Sequence, residues 1–450
     1  MAQEKGKITF PADFLWGTAT SSYQIEGGAL SDGRGECIWT RFSHTPGKTK
    51  NGDTGDVACD HYQRYRQDVA LMRDIGVQAY RYSISWPRIL PQGTGALNEA
   101  GLDFYDRLTD ELLHNDIQPY VTLYHWDLPQ ALEDQGGWAN PAIVDWFAHY
   151  ADVVSQRLGD RVTAWMTLNE PWCSAMLGYL LGIHAPGMRD PRRAYLAAHY
   201  LLRAHGAAVP LLRRNSPQSR LGIALNLIPQ YPASDKPEDV RTARYFDGFF
   251  NRWYLDPVFK GVYPEDMLAD GMISAALQGV DVSTIRQAAA PIDFLGINYY
   301  THNTIAYDPE NPQQPRQVRP AGARFTEMGW EINGQEMANT LLRVQREYAP
   351  KAMYITENGA AFADVAANGG MVEDPQRVDF LKEYLTATHA ALRGGAALKG
   401  YFVWSLMDNF EWGEGYSKRF GLVYVDYPTQ QRTLKRSAHF YREVIRASGF

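Results

Sequence analysis

Two glutamates end short apolar runs in this chain: Glu170 in Thr167-Leu168-Asn169-Glu170-Pro171 and Glu357 in Tyr354-Ile355-Thr356-Glu357-Asn358-Gly359. A carboxylate in such a place is costly unless it is paired or used. Either one alone could cap the next helix or pair with a lysine. Brought to one bowl, the two could hydrolyse a glycosidic bond between them. One, kept protonated, would give its proton to the leaving oxygen. The other, ionised, would attack the anomeric carbon and form a glycosyl ester. Water would then break that ester, with the first carboxylate acting as base. This double displacement keeps the anomeric configuration and needs the carboxyl groups about 5–5.5 Å apart.

The environment must also split the two pKa values. A cation beside the nucleophile favours its ionised form, as does a phenol donating to it. Arg81 and Tyr300 are the candidates, with a structural ion pair and core packing as their plain alternatives. A sugar offers hydroxyls that both donate and accept, which suits Gln24, His125, Asn169 and Glu411. Its C–H face stacks on indole, which Trp404 or Trp412 can supply. His125, Trp126 and Trp404, each taken singly, read first as core residues. Their collection at the ends of apolar runs turns the reading towards a site.

Eight strand-like segments must position these groups. They run from Phe14 to Ser21, Ala79 to Trp86, Gln118 to Trp126, Ala164 to Glu170, Arg220 to Leu227, Asp293 to Tyr300, Met353 to Glu357 and Leu398 to Leu406. Several are apolar runs with little alternation, as expected of strands covered on both faces. Helical patterns lie between them, from His61 to Ile75, Leu102 to Asn115, Tyr195 to Arg214 and Pro375 to Arg393. Another runs through Ile143, Val144, Phe147, Tyr150, Ala151, Val154 and Leu158, with Asn140 to cap it, Pro141 in its first turn and Gly159 to stop it. Eight strand–helix units predict an α/β fold, a single (β/α)8 TIM barrel with elaborated βα loops over residues 1–450. Strand C-terminal ends converge on one bowl in such a barrel. The stretches Ser31 to Asp56 and Asp308 to Pro320 read as long loops rather than domain linkers.

Composition narrows the function classes. The net charge of −7 and the lack of a long basic run argue against nucleic acid as a partner. No apolar stretch is long enough for a membrane span, and the first ten residues have no apolar leader core. Three cysteines, Cys37, Cys59 and Cys173, form no Cys-x-x-Cys pair and read as free thiols in a reducing, cytoplasmic compartment. Apart from His125-Trp126-Asp127, no His/Asp cluster marks a metal-dependent hydrolase. We therefore expect no metal, no cofactor, and a small-molecule glycoside or oligosaccharide as partner. Oligomeric state is not encoded in these patterns.

The two glutamate segments resemble the catalytic motifs of glycoside hydrolase family 1. Phe14 to Gly27, Tyr80 to Ile89 and Asp408 to Trp412 resemble further motifs of that family, in the same order. The closest look is that of bacterial β-glucosidases. The resemblance implies Glu170 as acid/base, Glu357 as nucleophile, and Arg81, Asn298 and Tyr300 as the groups that hold the nucleophile. It implies Gln24, His125, Asn169, Glu411 and Trp412 for the terminal sugar, Trp404 beneath it, Trp126 beside it and Phe420 on the pocket wall. Cys173, Asn226 and Trp330 match the leaving-group side more loosely. Family members acting on thioglucosides have glutamine where Glu170 stands, so Glu170 points to O-glycosides. Members acting on 6-phosphoglycosides generally lack the Glu411-Trp412 pair, and Trp412 offers no charge to a phosphate. Lys418 and Arg419 follow closely and read equally as solvated loop charges. The expectation is a retaining β-glucosidase with tolerance for β-fucosides and β-galactosides. The alternatives are a 6-phospho-β-glycosidase and an inactive sugar-binding homologue.

Overall fold

A computed structural model describes residues 8–311, 314–365 and 370–450 of the chain. Residues 1–7, most of the segment read as lacking a leader, lie outside it, as do 312–313 in the second long loop. Eight parallel strands close into a barrel: β1 (Leu15–Ala19), β2 (Ala79–Ser83), β3 (Gln118–Tyr124), β4 (Ala164–Asn169), β5 (Arg220–Asn226), β6 (Phe294–Asn298), β7 (Met353–Asn358) and β8 (Leu398–Trp404). Each pairs with its sequence neighbours, and β8 returns to β1 with Ala19 beside Trp404. The barrel interior is packed by residues such as Ala79, Tyr120, Ala164, Phe294, Tyr354 and Phe402, large against small. A larger apolar layer fills the space between the barrel and its helices. These two layers fix the strand ends, and so the site.

The expected strands are present, but most stop short at their C-terminal ends. Trp86 opens a helical turn, Trp86–Ile89, instead of extending β2. Trp126 has φ 77°, which removes it from β3. The helices His61–Ile75 and Pro375–Arg393 match their expected bounds, whereas Glu99–His114 and Pro191–Asn215 begin earlier. Asp190 accepts from the Arg193 N–H and so starts the second of these before its apolar pattern begins. Asn140 Oδ1 caps the Ala142 N–H at 3.0 Å, and Ile143–Leu158 follows. Gly159 is right-handed, with φ −65°, so it is not a left-handed stop. The stretch from Ser31 to Asp56 contains the helix Ile38–Ser43, and Arg316–Gln317 pairs with the strand Asn303–Ala306. Both expected loops therefore hold some regular structure.

One glycine sets a distance the site depends on. A Cβ on Gly359, just past β7, would stand 1.7 Å from the Trp404 carbonyl oxygen at the end of β8. No side chain fits there without parting the two strand ends that carry Glu357 and Trp404. Gly359→Ala is expected to destabilise the fold by about 1–3 kcal/mol, the usual cost of overpacking. Urea unfolding measures this, and an unchanged midpoint would contradict the close approach.

Candidate active site

Each glutamate is aimed by an irregularity in its strand. Between Met166 and Asn169, β4 carries one residue more than β5 opposite it. Between Ile355 and Glu357, β7 carries one more than β6. A β-bulge redirects the side chains that follow it. Glu170 then leaves β4 with φ 47°, in the left-handed region that non-glycine residues seldom adopt. Both carboxyl groups face one cavity of about 530 Å³.

Behind them runs a closed set of polar contacts. The Arg81 guanidinium, on β2, donates to Glu357 Oε1 and, at 2.5 Å, to Asn169 Oδ1. Tyr300 donates its phenol to Glu357 Oε2 at 2.6 Å. Asn298 Nδ2 donates to Asn169 Oδ1 at 2.9 Å and to Glu170 Oε1 at 2.7 Å. Asn298 Oδ1 is held by the Thr356 hydroxyl at 2.7 Å, which settles its orientation. Cys173 Sγ donates to Glu170 Oε2 at 3.0 Å. Arg81 is wholly buried, so its charge needs the Glu357 carboxylate, and the reverse holds equally.

This set separates the two carboxyls. Burial and the Glu357 charge push Glu170 up to about 7. Burial lifts Glu357 too, but the Arg81 charge and the hydrogen bonds from Tyr300 and Arg81 oppose it. Arg81 and the phenol touch Glu357 and not Glu170, so Glu357 ionises first and Glu170 keeps the proton. Burial, with Arg81 close by, holds His125 well below its ordinary value, so it is neutral. Burial and the charges of Glu357 and Glu170 push Glu411 up to about 8.

The remaining expected residues gather around the same cavity. His125, Trp126, Trp404, Glu411, Trp412 and Phe420 line it, and so do Cys173, Asn226 and Trp330. Trp404 and Trp412 lie nearly parallel to His125, at 22° and 20°. Trp126 packs on Trp412 with ring centres 4.6 Å apart. Across the cavity, Tyr300 meets Trp330 at 5.2 Å and Phe420 at 6.3 Å. Gln24 and Asn169 are fully buried behind this lining. Gln24 Nε2 donates to the Phe410 carbonyl at 2.8 Å and reaches Glu411 at 3.5 Å, so Gln24 sits under Glu411. Asn169 Nδ2 lies 3.0 Å from His125 Nε2. Asp127 turns away and accepts from Ser22 at 2.8 Å.

Sequence reasoning missed the outer part of the cavity. Trp172, Leu177, Ile183 and His184 come from the turns after Glu170, and Lys48 from the first long loop. Trp172 stands two residues past Glu170, which was a usable signal, whereas the others have no motif to mark them. A second, shallower cleft of about 780 Å³, between Pro237–Asp247 and Arg316, holds none of the expected residues.

Comparison with known proteins places this geometry. The model of Glycosyl hydrolase family 1 matches residues 6–450. The chain is 48% identical over 450 residues to Beta-glucosidase A of Acetivibrio thermocellus, covering 99% of this chain and 100% of the other. It is 51% identical over 443 residues to Beta-glucosidase A of Thermotoga maritima, covering 98% of each. Among solved structures, the family 1 β-glucosidase of Thermotoga maritima in complex with isofagomine lactam superposes with a TM-score of 0.96 at 50% identity, covering 99% of this chain and 100% of the other.

Tyr300→Phe deletes one donor to Glu357 and leaves Arg81 in place. A lost hydrogen bond to the ionised form raises the pKa, so the Glu357 midpoint should move up. Carbon NMR titration of labelled glutamates reads the shift, and an unmoved Glu357 would contradict the assigned contact.

Proposed function

The chain belongs to glycosyl hydrolase family 1, and from that premise and the paired glutamates we infer that it is a retaining β-glucosidase. It hydrolyses terminal, non-reducing β-D-glucosyl residues by double displacement through a covalent glycosyl-enzyme. It also accepts β-fucosides and β-galactosides. In our assignment Glu357 is the nucleophile, and Arg81 and Tyr300 hold it ionised. Glu170 is the acid that protonates the leaving oxygen, and then the base that activates water. Once Glu357 is esterified its charge is gone, which lowers the Glu170 pKa and suits it to that second task. Asn298 aligns Glu170 with the same framework that carries Asn169 and Arg81. The observation that carries this division is the Arg81–Glu357 contact.

The sugar is assigned to the inner cavity, with Trp404 and Trp412 for its C–H faces and Gln24, His125, Asn169 and Glu411 for its hydroxyls. Gln24 supports Glu411 from behind in this arrangement. Cys173, Asn226 and Trp330 take the leaving-group side. An unphosphorylated substrate is favoured because Trp412 offers a phosphate no charge and the two cations that follow it in sequence are occupied. Arg419 pairs with Asp408 at 2.7 Å, and Lys418 donates to the Glu327 carbonyl at 2.6 Å. Arg419 is thus ion-paired behind the pocket, not a solvated loop charge. Both glutamates are in place, which counts against an inactive sugar-binding role.

The substrates we assign are small β-glycosides and short β-linked oligosaccharides, such as those released in cellulose degradation. No helix among the described residues is long and apolar enough to cross a membrane. Three buried free cysteines support a cytoplasmic, reducing location. The family match from residue 6 to 450 supports a single catalytic unit.

Glu357→Ala is expected to lower kcat by about 10⁴-fold or more, with partial rescue by azide and an α-configured azide product. Glu170→Ala should cost about 10²–10⁴-fold on poor leaving groups and spare the first step for good ones. Hydrolysis of a poor leaving group at the wild-type rate by Glu170→Ala would remove Glu170 from the acid role.

A further inference from the structure

The segment from Asp408 to Gly421 brings Glu411, Trp412 and Phe420 to the cavity. Its two ends are tied together by a largely buried ion pair. Asp408 Oδ2 accepts from Arg419 at 2.7 Å, and Asp408 Oδ1 accepts from the Gly421 N–H at 2.9 Å. A Cβ on Gly421 would stand 2.0 Å from the Asp408 nitrogen, so this neck requires glycine. Arg419 also lies over the Tyr424 ring, 4.1 Å from its centre.

The neck is locked from outside the segment. Lys435 is wholly buried, and its ammonium donates to Asp408 at 2.6 Å and to Asp364 at 2.5 Å. Arg377 pairs with Asp364 at 2.7 Å and Asp374 at 2.5 Å, and it donates to the Arg419 carbonyl at 2.8 Å. Three cations, Arg377, Arg419 and Lys435, thus balance three carboxylates, Asp364, Asp374 and Asp408. Buried ion pairs are a weak source of stability, but parting one leaves an uncompensated buried charge, so each partner here is held against the other. None of the six touches the cavity or the two catalytic glutamates.

We propose that Asp408, Arg419 and Lys435 are positioning residues that set where Glu411 and Trp412 stand in the sugar pocket. This rests on the reading that Glu411 and Trp412 contact the sugar. The network works at a distance: it closes the neck of the segment, and the side chains between its ends inherit that placement.

The test uses the full-length enzyme and two variants chosen to fold. Arg419→Lys keeps the charge but loses the planar fork. The double variant Lys435→Met/Asp364→Asn removes one charge of each sign. For both, kcat/KM on 4-nitrophenyl β-glucoside should fall at least ~10-fold, and Ki for the sugar-shaped inhibitor deoxynojirimycin should rise in parallel, as a misplaced sugar contact requires. The pH midpoints of the catalytic pair should stay put, because Arg81 and Tyr300 are untouched. Folded variants with kcat/KM and Ki within about twofold of wild type, whatever their melting temperature, would overturn the proposal and leave the network a purely structural one. Glu411→Gln is run beside them: if it leaves Ki unchanged, the sugar-contact reading has failed, and the positioning proposal falls with it for that separate reason.

Discussion

The buried guanidinium of Arg81 is the charge around which the barrel mouth is organised. It has no water to solvate it, so it must be met by protein. The groups that meet it are Glu357, Asn169, the Thr122 hydroxyl and the Thr356 carbonyl, drawn from β3, β4 and β7. Through Asn169 and Asn298 the same framework reaches Glu170. The cation is therefore both a fixture for geometry and the cause of asymmetry. It favours charge on Glu357, and that charge then disfavours a second on Glu170. In the proposed mechanism two identical side chains acquire two roles because one of them touches Arg81.

Such an arrangement is costly, and the cost is met by packing elsewhere. Glu170, Trp126 and Trp412 all adopt left-handed backbone angles, φ 47°, 77° and 49°. Each costs about 1–3 kcal/mol and persists only where its surroundings dictate it. The surroundings here are the filled barrel interior beneath and the apolar shell outside it. Aromatic rings then form two walls, Trp126 with Trp412 on one side and Tyr300 with Trp330 and Phe420 on the other. Rigid walls leave the carboxyls little freedom, and their burial strengthens the charge interactions between them.

Much of this was legible in the sequence. All eight strands were, because apolar runs between helical patterns have few other folds available. So were the two glutamates and most of their neighbours, because strand ends carry a barrel's chemistry. What escaped depends on three-dimensional fit. The bulges before Glu170 and Glu357 leave no periodic signature, since one extra residue in a short strand looks like a shifted boundary. Trp86 and Trp126 extend apolar patterns past the strands' true ends. Gly159 is a glycine for packing room, with Ser216 Oγ 2.3 Å from where its Cβ would be, and not for a left-handed turn. Arg419 looked like a solvated charge because its partner, Asp408, comes from beyond the turn that separates them.

If Arg81 makes Glu357, and not Glu170, the attacking carboxylate, the covalent intermediate must form on Glu357. Incubation with a 2-deoxy-2-fluoro-β-glucoside bearing a good leaving group should trap the ester, and peptide mass spectrometry locates it. We predict one sugar per chain, all of it on the peptide containing Glu357. A sugar on Glu170, or full turnover with inverted product and nothing trapped, would contradict the assignment.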